Sequence, residues 1–536
     1  METENKIKTP SIEELETWLS NKLVRRERSD IILYLSIIAY ALLFSSLTVF
    51  RHYAFKTGAW DLGIFTQSLW TTLNGDGLFY HTCELFINPS GSFFGVHFSP
   101  ILFLILPFYW IIPTTETLLV LQSFIVALAA IPIYRLAKEN AGGRVVGLVL
   151  ALAYLMYPAI HFVNWYDFHV QAFLPLFFSY TIYYIAKENW PKYFLFVFLS
   201  LMVEEHASQI IFFIGVYIAW RYRRVIISEL RRRNLLEKKL LVPLATTAIC
   251  IFWYWFTIWQ RNTFFPTNPA VLAEFLGAGN FRILGAKNPL EVPLLIIIRP
   301  WNAVQALAYH GPIKLLYVVL IFGPLAFYSF KAPSALLPTI PCFIFSFMSQ
   351  AMVHHTLGLH YEAYTVSFIF ASAVFGLRKN YLKQKRLENV AGSLKKIMVL
   401  TLVFFVAASP LCPVVKILLP NYTIYIGEHE RSLNDIISMV PSNASILTTN
   451  NIFPHVSNRV DAYVVPAPMI NSPIHNIAVN FVNRTMDKVE YVLVDNKTDP
   501  IATALVLSLL ETKPQFTLIS SKDNGTILLY RCTLEV

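Results

Sequence analysis

The chain has 536 residues, of which 55% are hydrophobic and only 14% charged, with a formal net charge of +10. A soluble domain carries about 25% charge, so composition excludes one, and the repeated apolar stretches define a polytopic α-helical membrane protein. The basic residues sit in short loops between apolar runs, a positive-inside pattern that calls for no nucleic-acid partner.

Residues 1–30 are polar and end in Arg25-Arg26-Glu27-Arg28. Ser11-Ile12-Glu13-Glu14 has the form of a capping box, and Ile12, Leu15, Trp18, Leu19 and Leu23 recur at helical spacing. That pattern predicts a short amphipathic helix on the cytoplasmic membrane surface. The apolar run Ile31–Phe50 is long enough to remain as an anchor rather than a cleaved signal peptide. The basic cluster before it orients it inside to outside, which puts loop 51–113 outside.

That loop opens with Asp61-Leu62-Gly63-Ile64-Phe65 and closes with Val96-His97-Phe98-Ser99-Pro100, with Asn74, Asp76, His81 and Glu84 between. A long loop rich in ionisable groups beside a membrane segment reads as functional. Phe98–Ile112 is apolar but short, with Pro107 and Pro113 in or beside it. Counting it as a span would put Arg135, Lys138, Arg144, Lys187 and Lys192 outside. Reading it as a re-entrant or juxtamembrane helix keeps all five inside and places Asp167 outside. Tyr193–Trp220 then crosses twice, as two short helices turning at Glu204-Glu205-His206.

Arg221–Lys239 is strongly basic and reads as cytoplasmic, Leu240–Trp259 exits, and 260–311 is an outer loop whose Val292–Ile298 dips toward the membrane. Ile313–Phe330 returns, Ala335–Ser349 exits, Tyr364–Leu377 enters and Ile397–Leu419 exits. About eleven spans leave the C-terminus outside. The domains are thus 1–30, the membrane part 31–419, and an extracytoplasmic segment 420–536. In the last, apolar runs shorten to strand length. Ser445–Thr449, Tyr491–Asp495, Phe516–Ser520 and Ile527–Arg531 read as strands, and Leu433–Val440 and Ile501–Glu511 as helices, a small α/β domain. Sequons at Asn421, Asn443, Asn483, Asn496 and Asn524 all fall there and predict glycosylation. Cys83, Cys250, Cys342, Cys412 and Cys532 lack paired spacing and support neither a zinc site nor a disulfide framework.

Ionisable groups outside the basic loops gather in four outer places. These are Asp61 with His97; His161, Asp167 and His169; Glu204, Glu205 and His206; and His354, His355, His360 and Glu362. Carboxylates beside apolar segments usually face a polar cavity, because facing lipid costs a few kcal/mol each. The alternative is that they pair with histidines merely to pin helices together. Such groups suit a general base acting on a hydroxyl, a divalent cation that neutralises a phosphate, or cation-coupled transport. In Asp167-Phe168-His169 an extended backbone puts both polar side chains on one side, as a ligand pair requires.

Trp60-Asp61-Leu62-Gly63-Ile64-Phe65, His97-Phe98-Ser99-Pro100, Asp167-Phe168-His169, Glu204-Glu205 and Thr449-Asn450-Asn451-Ile452-Phe453-Pro454-His455-Val456-Ser457-Asn458-Arg459 resemble a prokaryotic membrane family of unknown function, domain-of-unknown-function family 2079. That family is similar to the GT-C integral-membrane glycosyltransferases, which use polyprenyl-phosphate-linked sugars. The resemblance covers roughly residues 31–530. It implies an all-α membrane fold, with Asp61 and Asp167 on the places of two acidic motifs that GT-C enzymes need. It further implies Asp61 as general base, with Asp167, Glu204 and Glu205 completing the catalytic set. His97, His169, His360 and Tyr361 would contact substrate. A divalent cation (Mg or Mn) would sit on Asp61, Asp167 and His169, and the partners would be membrane lipid and a polyprenyl-phosphate sugar donor. Apart from the resemblance, Lys56 and Arg282 are the cations that the modest basic charge of this region offers to a phosphate. The chain departs from the family at Thr66, at Gln171, and at Val203-Glu204-Glu205, where a lysine and an aspartate are usual. A transporter or flippase for a lipid-linked or polar solute, and a non-catalytic scaffold, are the alternatives.

Overall fold

The structure, a computed structural model, describes residues 14, 16, 17, 28–384 and 387–533. The expected N-terminal amphipathic helix lies almost wholly outside the described residues; Glu16 is seen against Arg144, whose backbone N–H it accepts at 3.4 Å.

The first long helix, α1 (Arg28–Tyr53), contains neither Gly nor Pro and carries Asp30 in its first turn and Arg51 and His52 in its last. Those charges oppose the helix dipole at each end. The helix stops where Phe55 takes a left-handed φ of 53°. Leu33, Ile37, Ala41 and Phe44 are buried, whereas Ile31, Leu35, Ile38 and Leu42 on the opposite flank are exposed. An outer face as apolar as the inner one is what a lipid-facing helix shows.

Among the described residues, four helices are long and apolar enough to cross a membrane: Arg28–Tyr53, Thr115–Gly142, Lys238–Phe264 and Asn389–Leu418. Two bent pairs, Arg144–Leu155 with Pro158–Trp165 (47°) and Pro289–Ile298 with Pro300–Ala308 (115°), raise the number to as many as six. The remaining apolar segments are shorter helices, so length and composition do not by themselves yield the eleven spans expected. Several expected single runs are broken. The run Ile313–Phe330 is helical over Gly311–Phe322 and then turns through Ala326 and Phe327 at positive φ. The run Ala335–Ser349 begins as tight turns and becomes helical at Ile340–Met348. Val292–Ile298 forms one arm of the 115° hairpin, with Leu294, Ile297, Ile298 and Trp301 exposed.

The segment read as re-entrant is helix α2 (Leu102–Ile111). Ten residues rise about 15 Å, half a bilayer core of about 30 Å, and so do not cross. Its outward side chains Phe103, Leu104, Phe108, Trp110 and Ile111 are exposed, while Leu102, Ile105 and Tyr109 pack inward. The expected break after Tyr193 is also present: α3 (Trp190–Leu201) ends and α4 (Ala207–Arg231) begins, with Glu204, Glu205 and His206 between them.

A five-stranded sheet lies within 446–532, in the order β2-β1-β3-β5-β4. β1 (Ile446–Thr448) is flanked in parallel by β2 (Ala462–Val464) and β3 (Tyr491–Asp495). β4 (Phe516–Lys522) and β5 (Ile527–Cys532) form an antiparallel hairpin whose second strand pairs β3. β2 is the one strand absent from the sequence expectation. The helix His475–Met486 was likewise missed, whereas Glu428–Ser438 and Pro500–Leu510 match the two helices expected.

Candidate functional site

Asp61 sits in a π-helical turn, Ala59–Gly63, that leads into the helix Ile64–Asn74. The turn is held from two distant parts of the chain. The Gly58 N–H donates to Asp167 Oδ2 at 2.6 Å, and the Ala59 N–H donates to Asn450 Oδ1 at 2.8 Å. Gly63 lies against Phe453: a Cβ there would come within 2.6 Å of the ring. The 449–459 motif therefore forms the seat of the Asp61 turn. Around it Gln67 Nε2 donates to the carbonyls of Arg459 and Val460, Tyr109 donates to Asn458, and His455 stacks on His52 at 4.1 Å.

The Asp61 carboxylate accepts from His169 Nε2 at 2.7 Å and from the Tyr166 hydroxyl at 2.9 Å. Its side chain remains 21% exposed, against 5% for His169. His169 Nδ1 faces the Asp167 carbonyl at 2.9 Å. Both ring nitrogens thus meet acceptors, an arrangement that only the doubly protonated imidazolium satisfies. Burial works to lower the His169 pKa, but the adjacent Asp61 carboxylate outweighs it and the pKa is raised. Tyr166 and His360 stack on the two sides of that ring, at 5.1 and 4.1 Å. His360 is itself held neutral, its pKa pushed well down by burial and by His169. Gln122 fixes the strand of backbone beneath, accepting from the His169 N–H at 2.8 Å and donating to the Asp167 carbonyl at 3.2 Å.

Asp167 turns its carboxylate the other way, into an ion pair with Arg51 at the end of α1. Sequence reasoning missed Arg51. The available signal was a lone cation at the end of the first apolar run, ten residues before Asp61. Lys56 and Arg282, the cations it favoured, are exposed and away from these contacts.

The four expected groupings are partly redistributed. His97 pairs with Glu205 rather than Asp61: its Nδ1 lies 3.2 Å from Glu205 Oε1, while Glu205 Oε2 accepts from the Phe98 N–H at 3.0 Å. Burial opposes protonation of His97, yet the Glu205 carboxylate prevails and lifts its pKa to about 9. Glu204 points elsewhere, accepting from Gln171 at 2.5 Å and from Tyr364. Gln171, an apparent departure from the family pattern, is thus the donor that holds Glu204. His161 leaves the site: inside the helix bundle it contacts Ser409 at 2.8 Å and the Leu155 carbonyl at 2.7 Å. His354 bonds Ser349 at 2.7 Å and His355 faces His310 at 3.2 Å, so of that group only His360 reaches His169. Tyr361 lies edge-on to His354 and beside His360, and burial raises its phenol to about 12. Glu362 is buried, and burial lifts its carboxyl to about 8. His81 and Glu84 form a buried pair at 3.3 Å, while Asn74 and Asp76 are exposed.

Asp61, Asp167 and His169 do not fit a shared divalent cation in this arrangement. Arg51 already neutralises the Asp167 carboxylate, and both His169 nitrogens are committed. Among the described residues, the group of three whose ligand atoms lie within 4.8 Å of one another is His97, Glu205 and His206. Of the sequons, Asn421, Asn443, Asn496 and Asn524 are exposed. Asn483 lies within a helix, and its Thr485 is buried and bonded to Phe481.

The fold as a whole has counterparts among solved structures. It is similar to ArnT from Cupriavidus metallidurans bound to undecaprenyl phosphate, with a TM-score of 0.51 and 10% identity over 93% of this chain and 97% of that one. It also matches the oligosaccharyltransferase AglB from Archaeoglobus fulgidus in complex with an inhibitory peptide and a dolichol-phosphate, with a TM-score of 0.40 and 13% identity over 92% of this chain and 74% of that one. No curated protein matches the chain by sequence. Residues 51–528 match the family described as "Predicted membrane protein (DUF2079)", and the chain belongs to that family.

Proposed function

We propose that the protein is a glycosyltransferase that moves a sugar from a polyprenyl-phosphate carrier to a hydroxyl acceptor at the outer face of the membrane. The observation that carries this reading is the meeting of Asp61 with His169 and Tyr166 at the partly open edge of a GT-C-like fold. A carboxylate with two fixed donors and an open side can take a proton from an acceptor hydroxyl approaching from that side. As the acceptor oxygen attacks the anomeric carbon, the carbon–phosphate oxygen bond breaks and negative charge gathers on the phosphate. The Arg51 guanidinium, whose remaining N–H groups are not all used by Asp167, and the His169 imidazolium supply positive charge at that place. Glu204 and Glu205 act one step removed: Glu204 fixes Gln171 and Tyr364, and Glu205 holds His97. The positive-inside distribution supports an outer position for this site and for residues 420–536.

The test is transfer of radiolabelled sugar from polyprenyl phosphate to lipid or protein acceptors in membranes containing the protein. Transfer that requires Asp61 supports the reading. Absence of transfer with every donor, alongside solute uptake that Asp61→Asn abolishes, would establish a transporter instead.

A further inference from the structure

The break between α3 and α4 is stitched to the first loop on both sides of one small cluster. The Ile101 N–H donates to the Met202 carbonyl at 2.8 Å, and Phe98 N–H binds Glu205 Oε2 at 3.0 Å. Ser208 fixes the Glu205 backbone, its hydroxyl donating to that carbonyl at 2.6 Å. Glu205 Oε1 is thereby presented to two imidazoles, His97 Nδ1 at 3.2 Å and His206 Nε2 at 3.9 Å. The first distance suits a hydrogen bond. The second is too long for one, yet His206, free to point into solvent from the start of α4, has its ring nitrogen turned to the same oxygen.

We propose that His97, Glu205 and His206 form a binding site for a zinc-type transition-metal dication, separate from the Asp61 carboxylate. In a tetrahedral zinc centre with bonds of about 2.0–2.1 Å, ligand atoms stand about 3.3–3.4 Å apart. The cluster, with all three ligand atoms within 4.8 Å of one another, needs only small side-chain rotations to reach that geometry. Two imidazoles and one carboxylate are a donor set for zinc, cobalt or nickel, whereas magnesium prefers oxygen ligands. Glu205 is buried and His206 is 48% exposed, so the site has an anchored floor and an entry route. Three protein ligands leave a further position for water or an anionic oxygen. A bound cation would lock the first loop onto the α3–α4 break, the same contact that the Phe98 and Ile101 bonds begin.

The test uses the full chain without a polyhistidine tag, stripped with a chelator and titrated with Co2+ as a visible-absorption probe, then with Zn2+ in competition. One equivalent of tetrahedral cobalt, displaced by zinc but not by magnesium, is expected. His206→Ala should weaken it at least about tenfold, the lower end of what even indirect disruption of a metal site costs. His206 is half exposed, so this variant should elute and melt as the wild type does. His97→Gln should weaken binding comparably, and Asp61→Asn should leave it unchanged. Binding indifferent to both histidine substitutions, binding lost with Asp61→Asn, or no cobalt retained by the wild type would overturn the proposal. The readout is metal occupancy, so failure here leaves the transferase reading to its own assay.

Discussion

Asp61 and His169 stand 108 residues apart in the chain and meet at 2.7 Å, carboxylate oxygen to ring nitrogen. The contact joins the first loop to the segment after the helix Pro158–Trp165, and the exposed edge of the cluster is on the Asp61 side.

If Asp61 accepts the proton of the acceptor hydroxyl, Asp61→Asn keeps the shape and the Tyr166 hydrogen bond but removes the base. Turnover should fall by roughly 10²–10⁴, the usual share of general base catalysis, with donor binding little changed. Equal transfer by wild type and variant would remove Asp61 from the mechanism.

The His169 imidazolium is a raised-pKa group, so its pairing with Asp61 is complete below the ordinary histidine value of 6.5 and is lost as pH rises through the raised value. Donor binding to the wild type should therefore weaken on the alkaline side. In His169→Gln that alkaline limb should vanish, because the amide does not titrate. Identical pH profiles for donor binding in the two proteins would contradict the assignment.

Arg51 neutralises a carboxylate whose side chain is only 3% exposed. Arg51→Ala leaves Asp167 buried without its partner and should destabilise the protein by about 3–5 kcal/mol. Arg51→Met combined with Asp167→Asn removes both charges and should recover much of that loss while transfer stays low. Thermal melting of the single and double variants decides the point: additive losses would show that the pair is not coupled.

Gly63 has an ordinary helical backbone, φ −63°, so its constraint is the Phe453 ring rather than conformation. Gly63→Ala should cost about 1–3 kcal/mol through overpacking and loosen the 449–459 seat, seen as faster hydrogen exchange in that segment. Phe453→Leu, which shortens the ring, should restore part of the stability. A silent Gly63→Ala would mean the seat yields freely.

The proposed outward placement of residues 420–536 is tested by Asn443→Cys, an exposed position. In intact spheroplasts a membrane-impermeant maleimide should label this variant above the parental background. In a glycosylating host Asn443 and Asn496 should be the better acceptors and Asn483, held in a helix, the poorest. Labelling only after lysis would overturn both the topology and the outer position of the site.

The sequence alone determined what depends on local pattern. Apolar length and basic loops define a membrane-embedded helical chain, and a short run with prolines, together with the basic residues after it, marks Phe98–Ile112 as re-entrant or juxtamembrane. Alternation in the tail yields four of the five strands, and the ordered motifs pick out Asp61, Asp167 and Glu204-Glu205. Only the tertiary structure decided who pairs with whom. Charge along a chain does not state direction, so His97 passes from Asp61 to Glu205, His161 withdraws to Ser409, and Arg51 emerges as the partner of Asp167. The 449–459 motif was legible as a motif but not as the seat of the Asp61 turn. That contact spans 391 residues between Ala59 and Asn450, and no helical or strand period in either segment encodes it. Side-chain direction at a break between helices is set by the elements packed around it, which is why the Glu204-Glu205 pair could be found in sequence and its two separate uses could not.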